Sequence, residues 1–390
     1  MRSAVCRRKA TVMSVLIATV VLTAIAAFGV VASDTGAPSW RGSLGATYQE
    51  WLFNTNCRPA VPELVSNPFC TPSAQIDYRP PYGTGWKDSL PGVYGSAQGW
   101  WDIASGSIAL SINSQSSVSP GTAKDIQVQV VYWQDISQSP SVVVTPTASL
   151  LSKTTALVTS GPVGGGWYRD LWRLRVNASQ GSEVITVNGD PIMGSMVDRI
   201  VVDTGYTSIL DSAAKARMLP EGTACELLGP VVTRSFGSFF YVENSNRLAG
   251  IRVNCAAGQA AAAEGTAPRV VGVLRVVNGE RVIDQAEVVT GAQTPAPRPL
   301  ALTCRSVSQG LSPQGLLVRI SGRAAVANSG QTWFTVSDGS PLPIKVVLHG
   351  INPPVDGSFV RVAGVIGADA SGPVLHVNAS QDIQVRPSGW

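Results

Sequence analysis

Two stretches of the chain share one pattern, about ninety residues apart. Leu227–Val253 reads LLGPVVTRSFGSFFYVENSNRLAGIRV, and Ile320–Val346 reads ISGRAAVANSGQTWFTVSDGSPLPIKV. Each scans as a strand, a turn, an aromatic strand, a second turn and a third strand. Gly229 precedes Phe240 by 11 residues and Gly322 precedes Phe334 by 12. Ile251 precedes Gly272 by 21 and Ile344 precedes Gly364 by 20. Four landmarks at such spacings mark a duplication, so nearly half the chain is two copies of one unit.

The first copy predicts strands over Ala224–Thr233, Ser238–Glu243, Ala249–Asn254, Val270–Val277 and Arg281–Val289. Gly229 marks a bend in the first of these, and Asn278-Gly279 a hairpin turn before the last. An Ala-rich insert, Ala256–Ala263, separates the third strand from the fourth. The second copy predicts Gly315–Val326, Thr332–Ser337, Pro343–Leu348 and Ser358–Ile366, closed by Pro373–Asn378 and Gln381–Arg386. Five short strands with a bent first strand suit a closed Greek-key barrel of the OB type. The expected modules are 208–292 and 299–390. A short helix over Ser208–Met218, stopped by Leu219-Pro220-Glu221-Gly222, opens the first.

Residues 38–207 carry further alternating runs: Ser107–Ile112, Ile126–Trp133, Ser141–Thr145, Leu171–Val176, Val184–Val187 and Asp198–Asp203. Half-buried antiparallel strands alternate in this way. With only 14% charged residues, 39 Gly and 26 Pro, the chain reads as all-β. The expected architecture is an N-terminal jelly-roll-like β-sandwich followed by two OB-type five-stranded barrels.

Residues 1–33 pair a basic start (Arg2, Arg7, Arg8, Lys9) with an apolar run from Val12 to about Ala32, an export segment. Val31-Ala32-Ser33 offers a cleavage site. The run is also long enough to remain as an anchor. The chain is therefore expected to be exported, either secreted or tethered, touching the membrane through this segment only. Export permits disulfides, and Cys57 and Cys70, 13 residues apart in a Pro-rich loop, are the expected pair. Cys225, Cys255 and Cys304 admit Cys225–Cys255, Cys255–Cys304 or buried thiols. With two His residues and no CxxC, neither a metal nor another cofactor is expected.

Tyr48-Gln49-Glu50-Trp51, Phe53, Asn67-Pro68 and Thr71-Pro72 resemble a stretch of exported proteins of environmental bacteria in which a β-sandwich of unknown ligand follows the signal sequence. Both repeats resemble the OB-type barrels of exported bacterial proteins, on GPV, FFYVEN, GIRV and VVGVLRV in the first copy and WFTVSDGS, PIKV and VRVAGVI in the second. The second copy departs by carrying GRA where the pattern has G-x-V. The first departs in the Gly265-Thr266-Ala267-Pro268 turn. The resemblance implies a fold and no reaction.

Removing the four basic residues of the export segment from the chain's 29 leaves 25, against 25 acidic. Nucleic-acid surfaces show a clear basic excess; no region has one, and 299–390, with six basic against four acidic, comes closest. His349 and His376 have no nucleophile motif beside them and are expected to be structural. The leading expectation is a non-enzymatic exported binding or interaction protein of the envelope or extracellular space, with a glycan or protein ligand. Two alternatives name residues. Single-stranded nucleic acid would stack on Phe239, Tyr241 and Trp333 beside Arg252 and Lys345. Carbohydrate would stack on the sandwich aromatics, chiefly Trp100 and Trp101.

Overall fold

The computed structural model describes residues 36–88, 99–115, 121–135, 139–162, 164–176, 181–309, 313–327 and 330–386. The expected export segment lies outside the described residues. The chain is all-β and divides into two units, one built mainly of Gly45–Val118 and Lys124–Thr204, the other mainly of Gly205–Trp390. No helix among the described residues is long and apolar enough to cross a membrane.

The first unit contains β1 (Thr47–Trp51), β2 (Leu64–Ser66), β3 (Ser73–Asp77), β4 (Gly85–Lys87), β5 (Trp100–Ala104) and β6 (Ser107–Asn113). Then follow β7 (Thr122–Gln134), β8 (Ser141–Thr145), β9 (Ser149–Ser160), β10 (Gly166–Val176), β11 (Ser182–Asn188) and the start of β12 (Ser195–Leu210). One sheet runs β3-β6-β11-β8, antiparallel throughout. The other carries β12-β7-β10-β9, with β1 and β5 also on β12. One apolar core draws on both: Ile108, Leu110, Ile185 and Val187 from the first, Val128, Val130, Ile200 and Val202 from the second. Alternation explains the selection, because successive side chains of a strand point to opposite faces. On β6 the even residues Ile108, Leu110 and Ile112 are buried, and the residues between them are not.

The second unit opens with the end of β12, whose Thr207–Leu210 pair in parallel with β13 (Ala224–Leu227). The expected helix over Ser208–Met218 is shorter: α1 spans Ala213–Met218, N-capped by the Ser212 hydroxyl, which accepts from the Lys215 amide. Residues 208–210 are held as strand by their pairing with β13, which overrides local helical preference. β14 (Val231–Ser235), β15 (Phe239–Glu243), β16 (Gly250–Cys255), β17 (Thr266–Val277) and β18 (Glu280–Gln293) follow. The first expected strand is thus two pieces, broken at Gly229, whose φ of 96° an L side chain rarely adopts. Residues 256–265, the Ala-rich insert, are irregular. Asn278 and Gly279 both have positive φ, 52° and 79°, as a two-residue hairpin turn of the primed type requires.

The last segment has β19 (Leu300–Ala301), α2 (Cys304–Gln309), β20 (Leu317–Ala325), β21 (Trp333–Ser337), β22 (Ile344–Leu348), β23 (Phe359–Asp369), β24 (Gly372–Val377) and β25 (Ile383–Val385). Its strands form a closed five-strand barrel in the order β20-β21-β22-β24-β23, with β20 pairing back to β23. β22 and β24 are parallel, and the other neighbours are antiparallel. Phe334, Val336, Ile344, Val346, Val360, Val362 and Leu375 fill the interior. The earlier copy pairs in the same order, β14-β15-β16-β18-β17-β13, again with a parallel step, β16–β18.

Candidate binding surfaces

In each copy the second strand alternates. Phe240 and Val242 enter one core and Phe334 and Val336 the other. Their neighbours Phe239, Tyr241, Trp333 and Thr335 therefore face outward. The third strand sets a cation diagonally across from the outward ring. Arg252 lies opposite Tyr241 and its guanidinium sits 3.9 Å from the Phe239 ring centre. Lys345 lies opposite Thr335, and its Nζ is 5.4 Å from the Trp333 centre. On the third strand the charged position shared by the two repeats is thus a cation over an aromatic face.

The two copies then diverge. Tyr241 is fully buried in a cluster with Leu317 and Val365 of the closed barrel, with Phe236 and Phe239 packed beside it. The ring centres of His349 and His376 lie 4.6 and 5.8 Å from that of Phe236, and His349 Nε2 meets His376 Nδ1 at 3.0 Å. A Cβ on Gly367 would collide with the Tyr241 hydroxyl and lie 2.8 Å from the His376 ring. The Tyr241 hydroxyl donates to Glu280 Oε2 at 3.1 Å, and the Arg252 guanidinium stands 3.9 Å from the same oxygen. Glu243 Oε2 accepts from the Leu317 amide at 2.8 Å. Burial pushes the Glu280 carboxyl up to about 7 despite Arg252. Burial, with His349 and Arg252 nearby, pulls His376 down to about 3, so its imidazole is neutral. Phe239, Tyr241 and Arg252 come together as the packing between two strand sets. A stacking platform needs open ring faces, and Tyr241 has none.

Trp333 and Lys345 remain half-exposed. Lys345 Nζ is held 2.7 Å from Asp369 Oδ2. Partial burial would raise Asp369, but hydrogen bonds from Lys345 and Ser371 outweigh it and leave the carboxyl at about 2.

In the first unit Trp100 and Trp101 are each only 2% exposed. As neighbours on β5 they face opposite ways. Trp101 enters the main core, and Trp100 packs with Val131, Trp133 and Trp167. Neither offers a face to a sugar, which corrects the expectation for both. No disulfide joins Cys57 and Cys70; the Cys70 sulfur instead accepts from the Asn113 amide at 3.2 Å. Cys225, Cys255 and Cys304 are also thiols, and burial pushes Cys225 up to about 12. A cleft of about 750 Å³ is lined by Tyr82, Asp102, Asp135, Ile192 and Met193, among others. Asp102 there is committed to the Thr84 amide and hydroxyl.

The surface that sequence reasoning passed over is β9. Eleven of its 12 residues are exposed on both faces, including Leu150 (55%), Leu151 (47%) and Leu157 (54%). It pairs with β10 and, among the described residues, with no other strand. Its composition, SLLSKTTALVTS, lacks the strict alternation of a half-buried strand. No family model matches the chain, and no match was found among curated proteins.

Proposed function

We propose that this is a non-enzymatic exported interaction protein, formed of an N-terminal β-sandwich and two OB-type barrels, that binds by adding a strand at β9. The order and parallel step shared by the two copies support the tandem-barrel reading, with β13 and β14 as one bent strand. The single core drawing on two sheets supports the sandwich. The observation that carries the function is the β9 edge. A long, exposed edge strand presents a row of backbone N–H and C=O groups, a template for another strand. Soluble chains normally blunt such edges with prolines, bulges or covering loops. β9 has one lysine, Lys153, which already bonds to Asp170 at 2.8 Å, and two register irregularities against β10, at Leu151 and Val158, that leave the run Ser152–Leu157 regularly paired between them. Strand addition favours a protein over a glycan, since only a backbone matches the row. The partner with the fitting sequence is β9 of a second copy, paired antiparallel. In sedimentation velocity over a concentration series, the exported chain should dimerise and a Leu150→Lys, Leu157→Lys variant should stay monomeric. A wild-type chain monomeric throughout overturns the reading.

One observation favours a second reading: Trp333 keeps its outward ring half-exposed beside Lys345. That face suits stacking of a single-stranded nucleic acid on the last barrel. Titration with a fluorescent oligonucleotide at low salt should show binding that Trp333→Ala weakens by about 1–3 kcal/mol. Absence of binding at low salt excludes it.

A further inference from the structure

Lys124 and Glu183 are a buried amine and acid inside the first unit. Lys124 begins the paired run of β7, opposite Val176, and Glu183 lies on β11, opposite Ile112. Their side chains are 0% exposed. Lys124 Nζ donates to Glu183 Oε1 and to the Ser114 hydroxyl. Ser114 also hydrogen-bonds to the Glu183 carboxyl. Val176, Ile112 and Ile126 beside them belong to the main apolar core. The other carboxyl oxygen, Glu183 Oε2, is buried and has no hydrogen-bond partner among the described residues.

That orphan oxygen does not fit a settled ion pair. A buried carboxylate repays its desolvation only when both oxygens are satisfied. Burial drives both groups towards neutrality, lowering the Lys124 pKa and raising that of Glu183, against their mutual attraction. An amine and a carboxyl that burial pushes towards their neutral forms, held in contact within an apolar core, set a nucleophile at its electrophile.

We propose that Lys124 and Glu183 are joined by a self-formed isopeptide bond, Nζ to Cδ, which ties β7 of one sheet to β11 of the other. The Nζ lone pair attacks Glu183 Cδ, and charge develops on Oε1, where Ser114 donates. A proton passes from nitrogen to Oε2, the Cδ–Oε2 bond breaks, and Oε2 departs as water. One N–C bond forms, one C–O bond breaks, and no oxidant or co-reactant is needed. Fixed geometry replaces a bimolecular encounter, and exclusion of water from the core removes the reactant for hydrolysis.

Intact mass spectrometry of the reduced, full exported chain tests this. The chain should be lighter than its sequence by one water, and a tryptic digest should yield a branched peptide joining the Lys124 and Glu183 fragments, uncut after Lys124. A Lys124→Arg chain should carry its full sequence mass. Two results overturn the proposal. One is a wild-type chain that unfolds cooperatively yet has full mass and separate linear peptides. The other is a Lys124→Arg chain that has lost the same water.

Discussion

At the scale of single residues, the junction around Tyr241 sets two titrations against each other. Glu280 ionises near its ordinary value of 4.5 when unfolded and at about 7 when folded. The folded state therefore binds the extra proton between those values, and stability falls as pH rises through about 7. His376 ionises at 6.5 unfolded and about 3 folded. Its contribution is present above 6.5 and is lost as pH falls towards 3. Glu280→Gln keeps an acceptor for the Tyr241 hydroxyl and removes the first effect. Relative to wild type, the variant should gain stability, on the order of 1–3 kcal/mol, between about pH 5 and pH 8. Urea unfolding at the two pH values measures it; a difference that stays flat contradicts a buried, proton-retaining Glu280.

At the scale of elements, the glycines matched between the two copies perform different tasks. Gly229 breaks the first strand at positive φ, and a Cβ there meets little beyond Asp211 O at 3.5 Å. Gly322 lies within the continuous β20, where a Cβ would meet the Ser337 carbonyl and lie 3.0 Å from the Asp338 amide nitrogen. Gly229→Ala should cost about 1–2 kcal/mol through conformation alone. Gly322→Ala should cost about 3 kcal/mol or more, because β20 and β21 must separate. Denaturant midpoints of the two variants rank these costs, and equal losses contradict the assignment. Sequence spacing made both glycines visible as landmarks but not this distinction, since φ and a close approach leave the same residue type. Strand positions were legible because the inward set Phe240, Val242, Phe334 and Val336 alternates plainly. The start of α1 was less so, because Ser208–Leu210 have neutral propensity and were decided by pairing with β13.

Across the whole molecule, the candidate surfaces were the least legible part. Phe239 and Trp333 occupy corresponding outward positions and Tyr241 the next outward one, and nothing local to the sequence separates a ring that is covered from one that is open. Trp100 and Trp101 failed as a platform because adjacent strand residues point to opposite faces, and here both faces are covered. β9 went unseen because a strand exposed on both sides has no hydrophobic period. That strand is the proposed protein-binding edge. Hydrogen exchange across Ser149–Ser160, followed by mass spectrometry at low and high chain concentration, tests it most directly. Backbone groups on the open edge should exchange rapidly in dilute solution and become protected as the concentration rises, with the Leu150→Lys, Leu157→Lys variant unprotected throughout. Exchange in this segment that is independent of concentration, in a chain whose β7 and β10 amides stay protected, would contradict the account.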